Sequence, residues 1–582
     1  MNLSPSSKKA GIHLAVIAGA GIALTLPVLI LGIPLFSDDG VTHAVWYSHF
    51  SDQLWHGDLY PRWLMNMNGG LGSPVFFYYP PAPFFLTSLL RPLFANDPHG
   101  LHQVGVSCGI ALVASGISAY FWLWEIGDQV SAMIASILYM AMPYHLAEIY
   151  VRGAFAELWA FVWLPLILVF TNRIAKDRRF GCAGLALSYA LLVMTHLPSV
   201  LVFSAVPIAY VLFVANKGIR MKAVAATLLS LLTGVGLSAV YLFPALLTQD
   251  GVFLNRMTTG YFSYNNWFLF SKWSIWTEDK VTMLLLVVDM SVIGVCTFLV
   301  ARARVDDRQK KLNRFWLAIA GASVFMMTEL SKPLWWVIFP LQKLQFPWRF
   351  NVTLSISVTA LLGSALFSLR RRQVTTQTML KAIAVALIAV WLPAIAFEAW
   401  RTFPETKADP IVSASKQKQI GQSRDAPEYR PRWNQSIDKI DWNASETIDD
   451  WDSVLEHEFD SVLQRVSSSD QTIGQIRVTA RKPREIDLHV EAPAGAVLQV
   501  QQFYYPYWAA HSLGEATNIP VGPSTPDGLL SLRVPAGTHD IQLRLERGRA
   551  ELGGEFVSLV SLAALTIALC IGYVRGRSHS AA

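Results

Sequence analysis

His13-Leu-Ala-Val-Ile-Ala-Gly-Ala-Gly-Ile-Ala-Leu-Thr-Leu-Pro-Val-Leu-Ile-Leu-Gly-Ile-Pro-Leu-Phe36, followed at once by Ser37-Asp-Asp-Gly-Val-Thr-His43, is the stretch on which the fold turns. A helix needs roughly 20 mostly apolar residues to cross a ~30 Å hydrocarbon core, and this run supplies them. It is longer than the ~7–15-residue apolar core of a cleavable signal peptide and follows Lys8 and Lys9, so it reads as a retained signal anchor. Further apolar runs predict spans at about 102–124, 130–146, 157–172, 181–195, 198–215, 223–244, 281–300, 315–330, 350–369, 381–399 and 556–574. Composition agrees. Of 582 residues 53% are hydrophobic and only 15% charged, against about 25% charged in soluble domains. Disorder and most soluble folds are excluded.

The net charge of +6 is therefore sorted by position along the chain, not taken as a sign of nucleic-acid binding. Basic clusters at Arg173–Arg179, Lys217–Lys222, Arg302–Arg314, Arg370–Lys381 and Arg575–Arg577 mark cytoplasmic ends of spans. All of them share the N-terminal side if the Pro-rich stretch Pro80–Leu93 re-enters or lies at the interface. About twelve spans with both termini inside follow. Four unusual segments then collect on the outer face: Ser37–His43 with its extension to Pro83, Tyr150–Glu157, Thr195–Ser199 and Leu344–Phe350. Charged residues at membrane depth are costly and mark sites or pathways.

From about Arg401 to Gly553 the chain turns polar. Strand-like alternation at Gln475–Ala480, Glu485–Glu491, Val497–Phe503, Leu529–Val534 and His539–Glu546, punctuated twice by Pro-Ala-Gly, predicts an antiparallel β-sandwich outside the membrane. Around Asp449–Asp460 an acidic helix or loop is expected. The fold class is thus mainly α: a polytopic helical membrane protein with an extracytoplasmic β-sandwich near its C-terminus. The expected domains are 1–400, with a large first outer loop at 37–83, then 401–553 and a final span and tail at 554–582. Cys108, Cys182, Cys296 and Cys570 lie in or beside spans, so no disulfide is expected in the outer domain.

Asp39 and His43, four apart, share a face on a helical turn. A partly desolvated carboxylate there suits a general base, with His43 to orient it and Asp38 as its neighbour; the plainer reading is that both aspartates end the first helix in headgroups. Arg152 offers a planar fork for phosphate, with Glu157 beside it; a structural ion pair closing a turn is the alternative. His196, in Thr195-His-Leu-Pro-Ser199, either reaches the same pocket or packs in the core. In Leu344-Gln-Phe-Pro-Trp-Arg-Phe350, Pro347 suits the first helical turn and sets Trp348 and Arg349 at its mouth, an anion site. Snorkelling of Arg349 to headgroups is the alternative. Arg62 is a supporting candidate. The aromatic segments at Val75–Phe85 and Gln249–Lys280 suit lipid or sugar contact, or interfacial anchoring. No cofactor is indicated and no Walker or Rossmann loop occurs. A divalent metal stays open through the Asp and His residues between Asp38 and Asp58, whose spacing matches no defined site.

Asp39-x3-His43, Gly57-Asp-Leu-Tyr-Pro-Arg-Trp63, Asn68-Gly-Gly-Leu-Gly-Ser-Pro74, Tyr79-Pro-Pro-Ala-Pro83, Tyr150-Val-Arg-Gly-Ala-Phe-Ala-Glu157, Thr195-His-Leu-Pro198 and Gln345-Phe-Pro-Trp-Arg-Phe350 together resemble the polytopic membrane family known as 6-pyruvoyl-tetrahydropterin synthase-related. Tyr504-Tyr-Pro-Tyr-Trp508 and Val534-Pro-Ala-Gly537 are similar to the C-terminal module of the YfhO-like group. A pterin synthase is a soluble zinc enzyme, and this chain has neither that architecture nor a clear His triad. Its layout instead resembles the GT-C glycosyltransferases. The resemblance implies transfer of a sugar from a polyprenyl-phosphate lipid to a glycan or lipid acceptor on the outer face. Asp39, or Asp38, would be the acid/base, and Arg349 and Arg152 would hold the carrier phosphate. It also implies a bacterial inner membrane, with the β-domain periplasmic or extracellular. A flippase for lipid-linked glycans and a non-catalytic polysaccharide-assembly factor are the competing functions.

Overall fold

In the computed structural model, the described residues are 5–34, 37–94, 97, 100–269, 271, 294, 306–371, 426–435, 466–468, 474–513 and 518–578. The expected spans 281–300 and 381–399, the acidic stretch Asp449–Asp460, Cys296 and Lys280 lie outside them. The spans within them are helical. They are α1 (Pro5–Leu31), α3 (Leu101–Trp124), α4 (Gln129–Met140), α5 (Pro143–Tyr150), α6 (Phe155–Ala175), α7 (Gly181–Val193), α8 (Leu197–Val214), α9 (Arg220–Leu237), α10 (Ala239–Leu247), α11 (Asp307–Met327), α12 (Pro347–Arg371) and α13 (Arg549–Ser578). Helix α2 (Gly40–Trp55) lies in the segment expected to form the first outer loop. Among the described residues seven helices are long and apolar enough to cross a membrane, and eight if α4 and α5 count as one span.

Local chemistry sets the ends. The Asp128 carboxylate caps α4 by accepting from the N–H groups of Val130 and Ser131, and Asp306 does the same for Gln309 at α11. Small residues let backbones approach: a Cβ on Gly105 would lie 2.3 Å from the Val28 carbonyl oxygen, and one on Gly109 3.0 Å from Leu29, where α3 crosses α1. Helix α3 also packs on α4 and α6, and α12 on α4 and α11.

One expectation changes in detail. The span expected at 130–146 is broken: Pro143, which cannot donate to a continuing ladder, starts a new helix bent by 41° from α4. The Pro-rich segment is not devoid of helix. It holds Val75–Tyr78 and Ala82–Ser88, separated by Tyr79-Pro-Pro81, and neither is long enough to span.

The C-terminal strands are β1 (Val466–Ser468), β2 (Ile476–Lys482), β3 (Glu485–Ala492), β4 (Ala496–Phe503), β5 (Trp508–Ser512), β6 (Asn518–Ile519), β7 (Val521–Pro523), β8 (Leu529–Val534) and β9 (Gly537–Leu545). They form two antiparallel sheets, ordered β1-β4-β8-β7 and β2-β3-β9-β5-β6. Ile486, Leu488, Val490 and Ala492 alternate inward along β3 and are matched by Ile541 and Leu543 of β9 and Leu530 and Leu532 of β8. This unit grips the membrane domain. The Arg481 guanidinium donates to the carbonyls of Met65 (2.8 Å) and Gly70 (3.2 Å), Gln502 donates to Leu71 O (2.7 Å), and the Phe503 N–H also meets Leu71 O (2.6 Å). The Tyr505 hydroxyl meets that of Tyr78 at 2.8 Å, and Arg484 pairs with Glu551 at the start of α13.

Candidate functional site

The turn between α5 and α6 organises one end of the bundle. Arg152 closes back on α5 through its N–H to Ala147 O, and Gly153 follows with a φ of +62°. A side chain at Gly153 would be strained, and its Cβ would sit 2.8 Å from the Gly40 nitrogen. That close approach lets the start of the first outer loop lie on the turn. The Asp38 N–H donates to Val151 O (3.2 Å) and the Asp39 N–H to Arg152 O (2.8 Å).

Asp39 is the N-cap residue of α2, but its carboxylate makes no capping hydrogen bond. Asp38 and Asp39 are both exposed, whereas His43 one turn on is buried. His43 does not turn its ring nitrogens to Asp39. Its Nδ1–H donates to the Gly153 carbonyl (2.8 Å), which leaves Nε2 to accept from the Tyr79 hydroxyl (3.0 Å). Trp46, Tyr79, Phe84 and Phe155 enclose the ring. Burial holds the imidazole below its ordinary pKa, although the Asp39 charge pulls the other way. The neutral ring is thus a fastener between three segments.

Behind it lies a charged cluster. Arg152 Nη1 contacts both Glu148 oxygens (2.6 and 2.8 Å), Glu157 Oε2 (2.8 Å) and the Tyr144 hydroxyl (3.2 Å), and that hydroxyl donates to Glu157 Oε1 (2.7 Å). His196 Nε2 and Arg349 Nε each stand 3.9 Å from Glu157 Oε2, and His196 Nδ1 meets Ser199 Oγ at 2.8 Å. Two buried acids face two guanidiniums, and an unpaired buried charge there would be costly.

Arg349 is the less committed cation. Its Nη1 donates to Leu344 O (2.9 Å), its buried Nε has no hydrogen-bond partner, and its fork lies over Phe346. Trp348 stacks on Phe346 at 4.3 Å and meets Trp267 edge-on. Arg62 stands apart: it donates to Val240 O and covers the Tyr60 ring, bracing the first outer loop on α10. Among the described residues no group of three or more His, Cys, Asp or Glu side chains converges as a metal site requires.

The fold therefore joins Asp39, His43, Arg152, Glu157, His196 and Arg349, and leaves out Arg62. It adds Glu148, Tyr144 and Tyr79, which were not singled out from sequence. The signal for Glu148 was present, since Glu148-x3-Arg152 is a helical i,i+4 pair.

A family model described as "6-pyruvoyl-tetrahydropterin synthase related domain; membrane protein" matches residues 76–404, more than half of the chain. The chain belongs to this family. The match contains Arg152, Glu157, His196 and Arg349 and begins after Asp39 and His43. No curated protein matches. Among solved structures, this family member is similar to the mycobacterial arabinofuranosyltransferase AftD, with 14% identity and a TM-score of 0.41 over 67% of this chain and 28% of that one. It is also similar to the Archaeoglobus fulgidus oligosaccharyltransferase. With a tethered acceptor peptide the identity is 14% and the TM-score 0.35, over 77% of this chain and 58% of that one. In the apo form they are 14% and 0.36, over 77% and 59%. The chain thus spans less than two thirds of the length of each.

Proposed function

We propose that the protein is a membrane glycosyltransferase that moves a sugar from a polyprenyl-phosphate donor to a glycan or lipid acceptor of the cell envelope. The reaction takes place at the outer face of an inner membrane, with both termini cytoplasmic and the sandwich periplasmic. The domain division is that expected from sequence: 1–400 for the membrane part, 401–553 for the β-rich part and 554–582 for the closing span. The observation that carries the reading is the state of Asp39. It is an exposed carboxylate with no capping duty, fastened through its own N–H to the turn that carries Arg152.

In the reaction an acceptor hydroxyl attacks the anomeric carbon while Asp39 takes its proton. The bond from that carbon to the phosphate oxygen breaks, and the electron pair leaves on the lipid phosphate. One substitution at carbon gives inversion. Arg349, with donors still free, meets the departing phosphate, where preorganised charge lowers the barrier most. Arg152 acts as a positioning residue: Glu148 and Glu157 hold it, and its main chain holds Asp39. No nucleotide is consumed.

Asp39→Asn is the test. A positioned general base contributes about 10²–10⁴-fold, so transfer from a polyprenyl-linked sugar should fall by that factor while protein abundance in the membrane stays unchanged. Transfer at the wild-type rate would overturn the assignment.

A further inference from the structure

The end of the bundle away from Asp39 holds a second charged cluster. Helix α6 carries Glu157 near its start and Arg173 near its end, about 24 Å apart at ~1.5 Å per residue. There Glu125, the residue that follows α3, gathers three cations. Arg173 Nε donates to its Oε1 at 3.2 Å, while Arg178 Nη1 and Lys176 Nζ donate to its Oε2 at 3.0 and 3.4 Å. Lys176 also donates to the Glu125 carbonyl at 3.0 Å, and Asn172 Nδ2 to Glu125 Oε2 at 3.2 Å.

One carboxylate against three cations leaves two positive charges over. Glu125 and Lys176 are half-buried, so water screens the excess only in part. Burial lowers the Lys176 pKa; Glu125 opposes this, and the Arg308 and Arg178 charges add to it. Among the described residues the other carboxylates at this end are already engaged: Asp128 with Arg370 (3.5 Å), Asp177 with Lys222 (3.6 Å), Asp306 with Arg371 (3.5 Å) and Asp307 with Lys310 (3.1 Å). Orienting a span takes basic residues near its end, not their convergence on one point. The excess calls for an anion from outside the chain. Its surroundings favour a lipid. Phe121, one turn before Glu125 on α3, is exposed, as are Trp124 and Phe180, and Arg173 lies over the Phe170 ring at 5.4 Å. Outward aromatic rings beside basic side chains belong to a membrane–water boundary, and they give acyl chains an apolar bed below the charges.

We infer that Arg173, Lys176 and Arg178, gathered by Glu125, bind the phosphate headgroup of an anionic phospholipid whose acyl chains run along Phe121 and Phe170. The planar arginine forks match phosphate oxygens, and basic pockets between spanning helices hold such headgroups. Two charges left over match two phosphates, so cardiolipin fits better than phosphatidylglycerol. The site is separate from the transferase reading, since nothing in it depends on Asp39 or on a sugar.

The test is native mass spectrometry of the full-length chain in detergent, titrated separately with cardiolipin, phosphatidylglycerol, phosphatidylcholine and inorganic phosphate. Cardiolipin should bind saturably, phosphatidylglycerol more weakly, and the other two weakest. In the double variant Lys176→Gln/Arg178→Gln, Arg173 still balances Glu125, so the pair that anchors the turn is kept while cardiolipin affinity should fall by about ten- to thirty-fold. Lys217→Gln/Arg314→Gln removes the same charge from exposed positions outside the cluster and should bind within about two-fold of the wild type. Arg178→Gln alone, also at an exposed position, should weaken binding by about five-fold and serves if the double variant fails to fold. Unchanged binding in folded Arg178→Gln, equal losses in the two double variants, or phosphatidylcholine bound as tightly as cardiolipin overturns the site. Displacement of cardiolipin by an equal concentration of inorganic phosphate overturns the lipid and makes the cluster a site for the free anion.

Discussion

Replacing Arg152 by Leu separates the scaffold of the site from its chemistry. The guanidinium holds two carboxylates that are 0% and 1% exposed, Glu148 and Glu157, and also contacts the Tyr144 hydroxyl. Leu is of similar bulk but leaves the two buried acids with only the 3.9 Å approach of Arg349 to Glu157, and breaking a buried pair in this way costs about 3–5 kcal/mol. Arg349→Leu removes one main-chain hydrogen bond and a 3.9 Å contact, worth about 1–2 kcal/mol. The slope falls with chain length, to about 1 °C per kcal/mol for 582 residues, so the two variants should differ by about 1–3 °C in unfolding midpoint, with Arg152→Leu the lower. The assay is thermal unfolding of each purified chain in one detergent, alongside transfer measured well below the midpoint. Arg349→Leu should be folded and inactive. Adding Glu148→Gln and Glu157→Gln to Arg152→Leu should recover part of the lost stability, because the stranded charge is gone. If Arg152→Leu melts with or above Arg349→Leu, the cluster does not hold the turn, and the positioning role fails.

Two further outcomes follow from the same geometry. Gly153→Ala combines a φ of +62° with a Cβ only 2.8 Å from the Gly40 nitrogen, so it should detach Asp39 from the turn. Transfer should then drop and amide exchange at residues 37–43 accelerate, whereas unchanged exchange would contradict the close approach. His43 is buried and neutral, its folded pKa lying below the ordinary 6.5. The unfolded chain binds the proton first, so the stability His43 contributes is complete above about pH 6.5 and is lost as pH falls below it. Unfolding midpoints compared at about pH 7.5 and about pH 5.5 should show a smaller acid loss in His43→Gln than in the wild type; equal losses would refute the assignment.

The membrane helices were legible because burying an apolar helix in lipid leaves a length signal that needs no partner. Four of the five expected strands show inward alternation, while β2, at the edge of its sheet, buries no residue; β8 appears at its expected bounds, Leu529–Val534, and the short β6 and β7 lack the length for a pattern. The break before Pro143 was not readable from the proline alone, since Pro27 and Pro165 lie inside helices that run on past them. In the site, Asp39, Arg152 and Glu157 stood out as charges beside apolar runs, and an Arg152–Glu157 ion pair was the alternative to a phosphate-binding role for Arg152. The partner of His43 was not readable, since a carbonyl acceptor at Gly153 leaves no side-chain trace. The docking of the sandwich was hidden for the same reason: Arg481 and Gln502 bind the main-chain oxygens of Met65, Gly70 and Leu71.

That docking orders the birth of the molecule. The loop around residues 63–78 emerges from the ribosome early, but the strands that hold it, β2 to β5, come from near the other end of the chain. At ~5–20 residues per second, the wait is on the order of a minute. During it Trp63, Phe77 and Tyr78, all buried in the finished protein, are without the sandwich residues that cover them. A nascent chain of this kind needs those rings guarded until the sandwich is made. A nonsense mutation late in the gene would therefore spoil the first loop made as surely as the last domain.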